Sequence, residues 1–302
     1  MASTTSATVD FTVGEETFKT WYKVVGDLKS PGVRPVVILH GGPGVPHSYV
    51  LPHTTLYESY GIPVVFYDQL GCGNSTHLQH KPKEFWTPEL FMDELENLLA
   101  HLEIADDFNL LGHSWGGMLA STWASRRHPP GLHRLVIADS PASMALWEAS
   151  CQTLIDKLPA DVKEVLERHQ REGTIEHPEY QAAMQKFYAL HCCRINPMPE
   201  TLQKAFAQLG EDPTVYHTMN GPNEFYITGS LRTWSVLDTL HTITQPTLVI
   251  NGRYDEAQDV CVAPFFEKIP KAKWLHFSES SHMPFSEEKD RYFLHVARFL
   301  KS

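Results

Sequence analysis

Apolar positions along the chain fall into two rhythms. Thr8 to Val13 and Thr17 to Val25 alternate apolar and polar residues around Gly14-Glu15-Glu16, which predicts an antiparallel hairpin. After the break at Lys29 to Pro35 come short, nearly unbroken apolar runs: Val36 to Leu39, Val64 to Tyr67, Phe108 to Leu111, Leu135 to Ala138 and Thr247 to Ile250, with a last strand at about Trp274 to Phe277. Runs this short suit strands covered on both faces, as in a parallel sheet. Between them the spacing turns helical. Leu90, Phe91, Leu95, Leu98, Leu99 and Leu102 place one apolar face on a helix over Pro88 to Leu102, with Thr87 as its cap and proline at its first position. Trp115 to Arg127 and roughly Glu287 to Leu300 predict two more helices. Strands alternating with helices imply right-handed crossovers and an α/β fold, mostly parallel, with helices on both faces.

That alternation stops between Ser143 and Trp234. The segment is helical in character and punctuated by Pro159, Pro178, Pro197, Pro199, Pro213 and Pro222. It predicts a helical cap, residues 143–234, inserted into a core formed by residues 1–142 and 235–302 and sitting over the strand C-termini, where open α/β sheets bind ligands.

Composition narrows the partners. A formal net charge of -11 and a pI near 5.8 leave no basic stripe, so neither nucleic acid nor an anionic membrane surface is expected as a partner. The first residues have neither the basic nor the apolar region of a secretory signal, and no run approaches a membrane span, which predicts a cytoplasmic protein. Cys72, Cys151, Cys192, Cys193 and Cys261, an odd number without a repeating pattern, fit free thiols in a reducing compartment. Asn74-Ser75-Thr76 matches a glycosylation sequon, which without a secretory signal carries no weight.

The chemistry starts at Gly112-His113-Ser114-Trp115-Gly116, a G-x-S-x-G segment between the strand Phe108 to Leu111 and a helix. Its glycines allow the strained turn that exposes a serine hydroxyl at the head of a helix in the α/β-hydrolase fold. A serine needs a histidine to take its proton and a carboxylate to orient that histidine. In this fold they follow in the order serine, acid, histidine, each after a strand. Asp255 lies in the turn after Thr247 to Ile250, and His282 follows the last strand, so Ser114, Asp255 and His282 form the expected triad, with Glu256 as the alternative acid. His40-Gly41-Gly42-Pro43-Gly44 follows the strand Val36 to Leu39, and its glycines let the Gly42 N–H join that of Trp115 in an oxyanion hole. His40 and His113, beside backbone turns, read as loop supports. No cofactor is required. No metal site is expected either: His191-Cys192-Cys193 lacks a second ligand pair, and H-E-x-x-H is absent.

Taken together, His40 to Gly44, Asp68 to Ser75, Gly112 to Gly117, Asn220 to Phe225, Gly252 to Glu256 and Ser281 to Pro284 resemble the proline iminopeptidase, or prolyl aminopeptidase, family of α/β-hydrolases, which includes the tricorn-interacting aminopeptidases. The resemblance implies a serine aminopeptidase that releases N-terminal proline or small apolar residues through an acyl-enzyme. It also implies that Glu224, from the cap, and Glu256, beside the triad acid, hold the substrate's free α-ammonium group. A charge-assisted pair of that kind would set the next carbonyl against Ser114. Leu70 and Asn74 stand where family members commonly carry arginines, which bears on substrate preference. Of the aromatic residues near the expected cleft, Trp147, Phe187, Tyr188, Phe225 and Tyr226, most are expected in the cap core, while Phe225 and Tyr226 adjoin Glu224 and are expected to line the substrate pocket. The partner is then a small peptide or amino-acid amide with a free amino group. Two other readings use the same sequence: an amidase or esterase acting on amino-acid amides or a peptide-like secondary metabolite, and a non-catalytic ligand receptor on a hydrolase fold.

Overall fold

The computed structural model describes residues 4–30 and 32–302. Eight strands form one sheet: β1 (Thr4–Val13), β2 (Glu16–Val25), β3 (Val36–Leu39), β4 (Val64–Asp68), β5 (Phe108–His113), β6 (Leu132–Ala138), β7 (Thr247–Gly252) and β8 (Ala272–Phe277), in the order β1-β2-β4-β3-β5-β6-β7-β8. β1 and β2 are antiparallel to each other, β2 is antiparallel to β4, and all other pairs are parallel. The predicted hairpin begins earlier than its apolar pattern, because Thr4 to Ala7 pair with Tyr22 to Val25 although most of them face solvent. Gly14, at φ 62, supplies the turn between Val13 and Glu16.

Between the strands lie α1 (Thr55–Glu58), α2 (Pro88–His101), α3 (Trp115–Arg127), α4 (Met144–Ile155), α5 (Ala160–Glu172), α6 (Pro178–His191), α7 (Glu200–Glu211), α8 (Thr214–Met219), α9 (Asp259–Lys268), α10 (Pro284–Glu287) and α11 (Lys289–Lys301). Strand residues sort alternately between two cores. Val37 and Leu39 of β3 face Leu95, Leu98 and Leu119 from α2 and α3, whereas Val36 and Ile38 face Leu56 of α1 and the Tyr292, Phe293, Val296 and Leu300 stripe of α11. This two-sided burial is why β3 to β6 read as continuous apolar runs. Thr87 caps α2 by accepting the Leu90 N–H at 3.2 Å.

Helices α4 to α8 all lie between β6 and β7. The chain leaves and re-enters the sheet at one place: Met144 N–H donates to Trp234 C=O at 3.0 Å, Val236 N–H donates to Ala142 C=O at 3.1 Å, and Ser143 bridges Ser235. The C-terminal helix expected from roughly Glu287 to Leu300 is α11, which begins at Lys289, and Glu288 separates it from the short α10. Its carboxylate turns back to accept the Glu279 N–H and the Ser280 hydroxyl, an anchor that an apolar repeat does not report. No helix among the described residues is long and apolar enough to cross a membrane.

Candidate active site

Ser114 sits between β5 and α3 at φ 56, ψ -123, a conformation that costs a non-glycine residue about 1–3 kcal/mol and persists only where its surroundings enforce it. Close packing on both sides does so. A Cβ at Gly112 would strike the backbone of Gly116, and one at Gly116 would strike the carbonyls of Leu39 and His40. The serine hydroxyl is thereby lifted to the head of α3, where the Trp115 N–H has no partner among the described residues, in keeping with a first-turn amide that has no acceptor within its own helix. Gly42, at φ 108, lines a cavity of about 440 Å³ together with Ser114, and a Cβ there would lie 2.7 Å from the amide nitrogens of Gly44 and Val45. Its own N–H makes no hydrogen bond among the described residues, whereas that of Gly41 donates to the Tyr49 hydroxyl at 2.6 Å.

Tyr49 ties this loop to the histidine. Having accepted from Gly41, its hydroxyl is left to donate to His113 Nδ1, 2.9 Å away, so that His113 Nε2–H donates to the His282 carbonyl at 2.8 Å. Burial holds His113 well below the usual imidazole range, which keeps it neutral for both bonds. His40, brought to about 4 by burial, is likewise a support: its Nδ1 bonds the Gly41 carbonyl and its Nε2 accepts the Gln69 N–H. The segment carrying His282 is held from below by Glu287, which accepts the Ser281 N–H and hydroxyl at 2.7 Å each.

His282 Nδ1 meets Asp255 Oδ1 at 2.7 Å, and the same oxygen accepts the Ala257 N–H at 2.9 Å. Glu256, the alternative acid by sequence, lies instead on the other side of the ring, with Oε1 3.8 Å from Nε2. Burial disfavours the charged imidazole, but the carboxylates of Asp255, Glu256 and Glu224 outweigh it and raise His282 to about 9. Ser114, His282, Glu224 and Glu256 all line the one cavity. Glu224 accepts from the Tyr216 hydroxyl at 2.6 Å, and its backbone carbonyl accepts the Trp147 indole N–H. Burial pushes both glutamates up from the ordinary carboxylate range, and Glu256 Oε2 has no hydrogen-bond partner among the described residues.

Two expected pocket residues lie elsewhere. Neither Phe225 nor Tyr226 lines the cavity; Phe225 turns into the helical core, its ring 4.8 Å from Phe187 and 6.3 Å from Tyr188, and Asn223 bridges Tyr226. The Asn223-Glu224-Phe225 turn, with Phe225 N–H bonded to Asn223 Oδ1, points alternate side chains to opposite sides, and only that of Glu224 reaches the cavity. The aromatic wall is made by Tyr49, Tyr188, Phe206 and Tyr216. Beyond Ser114, a narrow recess is bounded by Met118, Pro141, Met144, Trp147 and Leu231, together with Gly42 and Glu224. Leu70 and Asn74 are also outside the cavity: their N–H groups bond Glu94 and Asp68 respectively.

A family model described as alpha/beta hydrolase fold matches residues 34–289. A proline iminopeptidase of Saccharolobus solfataricus is 38% identical over 268 residues, which cover 88% of this chain and 84% of that protein. The chain belongs to the proline iminopeptidase family of α/β-hydrolases. It is a serine hydrolase of the aminopeptidase type. Among solved structures, the proline iminopeptidase of Mycobacterium smegmatis is 43% identical with a TM-score of 0.90, covering 97% of each chain. VinJ is 48% identical with a TM-score of 0.93 over 98% of each. The sequence did not single out three residues that support the site: Tyr216, which bonds Glu224, and Tyr49 and Glu287, which bond the segments carrying Gly42 and His282 through Gly41, His113 and Ser281. Tyr49 and Tyr216 gave no local signal, because nothing in the sequence relates Tyr49 to His113 or separates Tyr216 from other cap aromatics.

Proposed function

We propose that this enzyme removes the first residue, proline or a small apolar one, from peptides or amino-acid amides with a free amino group, using Ser114 as nucleophile, His282 as base and Asp255 as its orienting acid. The observation that carries the reading is the shared cavity: Ser114 and His282 open onto the same space as two glutamates taken out of bulk water, which meet no lysine or arginine among the described residues and have only His282 as a cationic neighbour. An α-ammonium adds a second positive charge to match the two carboxylates. Its binding between Glu224 and Glu256 leaves the first carbonyl at Ser114, and the narrow recess walled by Met144 and Trp147 takes a small side chain.

The same contact prepares the base. Glu256 is 3.8 Å from the imidazole nitrogen that must accept the serine proton, so an ammonium that neutralises Glu256 weakens the hold on the His282 proton. Ser114 then attacks, the oxyanion forms between the Gly42 and Trp115 N–H groups, His282 protonates the leaving amine, and water hydrolyses the acyl-enzyme. Residues 143–234 act as a helical cap domain over the core domain of residues 1–142 and 235–302, contributing Glu224, and the enzyme works in the cytoplasm.

The test is turnover of Pro-, Ala- and Phe-arylamides against their N-acetylated forms. Free Pro and Ala substrates are expected to exceed their blocked forms by at least about 100-fold in kcat/KM, the loss that follows when buried charges are left unpaired. Equal turnover of free and blocked forms removes the ammonium site and leaves a general amidase or esterase. Absence of fluorophosphonate labelling at Ser114 removes hydrolysis altogether and leaves a ligand receptor.

A further inference from the structure

Behind the proposed triad lies a second buried acid that the mechanism does not use. Asp139 follows β6 directly, at φ 53, with its N–H on the Ile250 carbonyl at 2.8 Å. It is fully buried, and among the described residues no N–H or hydroxyl group donates to either carboxyl oxygen; the same is true of Oδ2 of Asp255. These orphaned atoms belong to two carboxyl groups within hydrogen-bonding reach of each other.

Two carboxylates in contact inside a protein cannot both be charged, so one of them keeps a proton. The donors decide which. Asp255 Oδ1 receives His282 Nδ1–H at 2.7 Å and Ala257 N–H at 2.9 Å, both of which favour its anion. Asp139 receives neither kind of support.

We infer that Asp139 is a positioning residue for the reaction: as a neutral carboxylic acid it donates a hydrogen bond to Oδ2 of Asp255, so that the acid behind His282 is a pair sharing one negative charge. The inference rests on the triad assignment proposed above. It gives each buried carboxyl oxygen of Asp255 a donor and fixes the plane of the carboxylate facing His282. It also draws electron density from Asp255 and so moderates its pull on the imidazole proton.

Groups on every neighbouring element leave this assignment intact. His113, at the end of β5, has Nε2 3.8 Å from Asp139 Oδ2, but that nitrogen is spent on the His282 carbonyl and burial keeps the ring neutral. Tyr49, beside the oxyanion loop, and Tyr292, on α11, are phenols that burial keeps protonated, and Glu287 of α10 adds a further negative charge that favours a neutral Asp139. On the Asp255 side stand Glu256 with Glu224 beyond it, His191 of α6, and the thiols of Cys151 and Cys261, which burial keeps neutral.

The pH profile of kcat/KM and difference infrared spectroscopy test this together. In Asp139→Asn the amide still donates and no charge is removed, so the acid limb set by His282 is expected to stay within about half a unit of wild type. Asp139→Leu removes the donor; its acid limb is expected to move to higher pH and kcat to fall about tenfold, the effect of losing one charge-assisted hydrogen bond, with the Asn variant restoring both. The native enzyme at neutral pH should show a protonated carboxylic C=O band that disappears in Asp139→Asn. A limb that moves down by a unit or more in the Asn variant means that Asp139 is ionised and overturns the inference, as does absence of the carboxylic band. The infrared measurement needs no turnover, so its failure is separate from failure of the triad assignment, which fluorophosphonate labelling reports.

Discussion

The sheet and its helical insertion build the same cavity by different rules. Ser114, Asp255, His282 and Gly42 all stand on turns that follow parallel strands, so the sheet order alone brings them to one edge. Glu224, Tyr188 and Tyr216 come from helices and turns between β6 and β7, where position depends on how helices happen to pack. In the proposed mechanism the first group performs chemistry common to the fold, and the second decides what that chemistry reaches. A substitution in the first should therefore abolish turnover of every substrate, and one in the second should change which substrates are turned over.

The largest expected effect comes from the sheet side. Ser114→Ala is expected to lower kcat at least about 10⁴-fold for free and blocked substrates alike, and Asp255→Asn about 10⁴-fold, both read by steady-state kinetics with circular dichroism to check folding. Gly42→Ala, which cannot hold φ 108 without moving Val45, should reduce kcat about 100-fold with little change in KM. A large KM effect there would break the contrast.

On the insertion side and its border, Glu224→Gln and Glu256→Gln should each cut kcat/KM for free-amino substrates about 10- to 100-fold while sparing N-acetylated ones. Glu256→Gln carries a second signature. Because His282 must be neutral to accept a proton and is raised to about 9, kcat/KM of the wild type should climb as pH rises toward 9. Removing a carboxylate 3.8 Å from Nε2 should shift that limb to lower pH. An unmoved limb would separate Glu256 from the base.

The smallest effects sharpen the assignment of the aromatic residues. Tyr216→Phe, which strips a 2.6 Å hydrogen bond from Glu224, should raise KM a few-fold, consistent with about 1 kcal/mol. Phe225→Leu should instead lower the melting temperature, through lost packing of about 1 kcal/mol against Phe187, and leave KM alone.

The same contrast explains what could be read from the chain. Strand runs, the G-x-S-x-G turn and the order of acid and histidine were legible because a buried parallel sheet imposes continuous apolar stretches, and its loops fall on one edge. Asp255 is the expected acid, with Glu256 as the alternative; that these adjacent residues face opposite sides of the imidazole is not legible from their sequence positions. Phe225 and Tyr226 were misplaced in the pocket for a related reason: nearness to Glu224 in sequence says nothing about which way a turn directs each side chain. Asp139 stood in plain sight after β6, but its role depends on a neighbour 116 positions away, at Asp255.

The adjoining crossing points of the insertion, at Ala142 to Met144 and Trp234 to Val236, have a consequence for how such enzymes diversify. A segment whose two ends are neighbours can be lengthened, shortened or exchanged as a cassette without shifting the register of any strand. New specificities can then arise by replacement of one contiguous piece of gene, while the inherited machinery on the sheet stays in alignment.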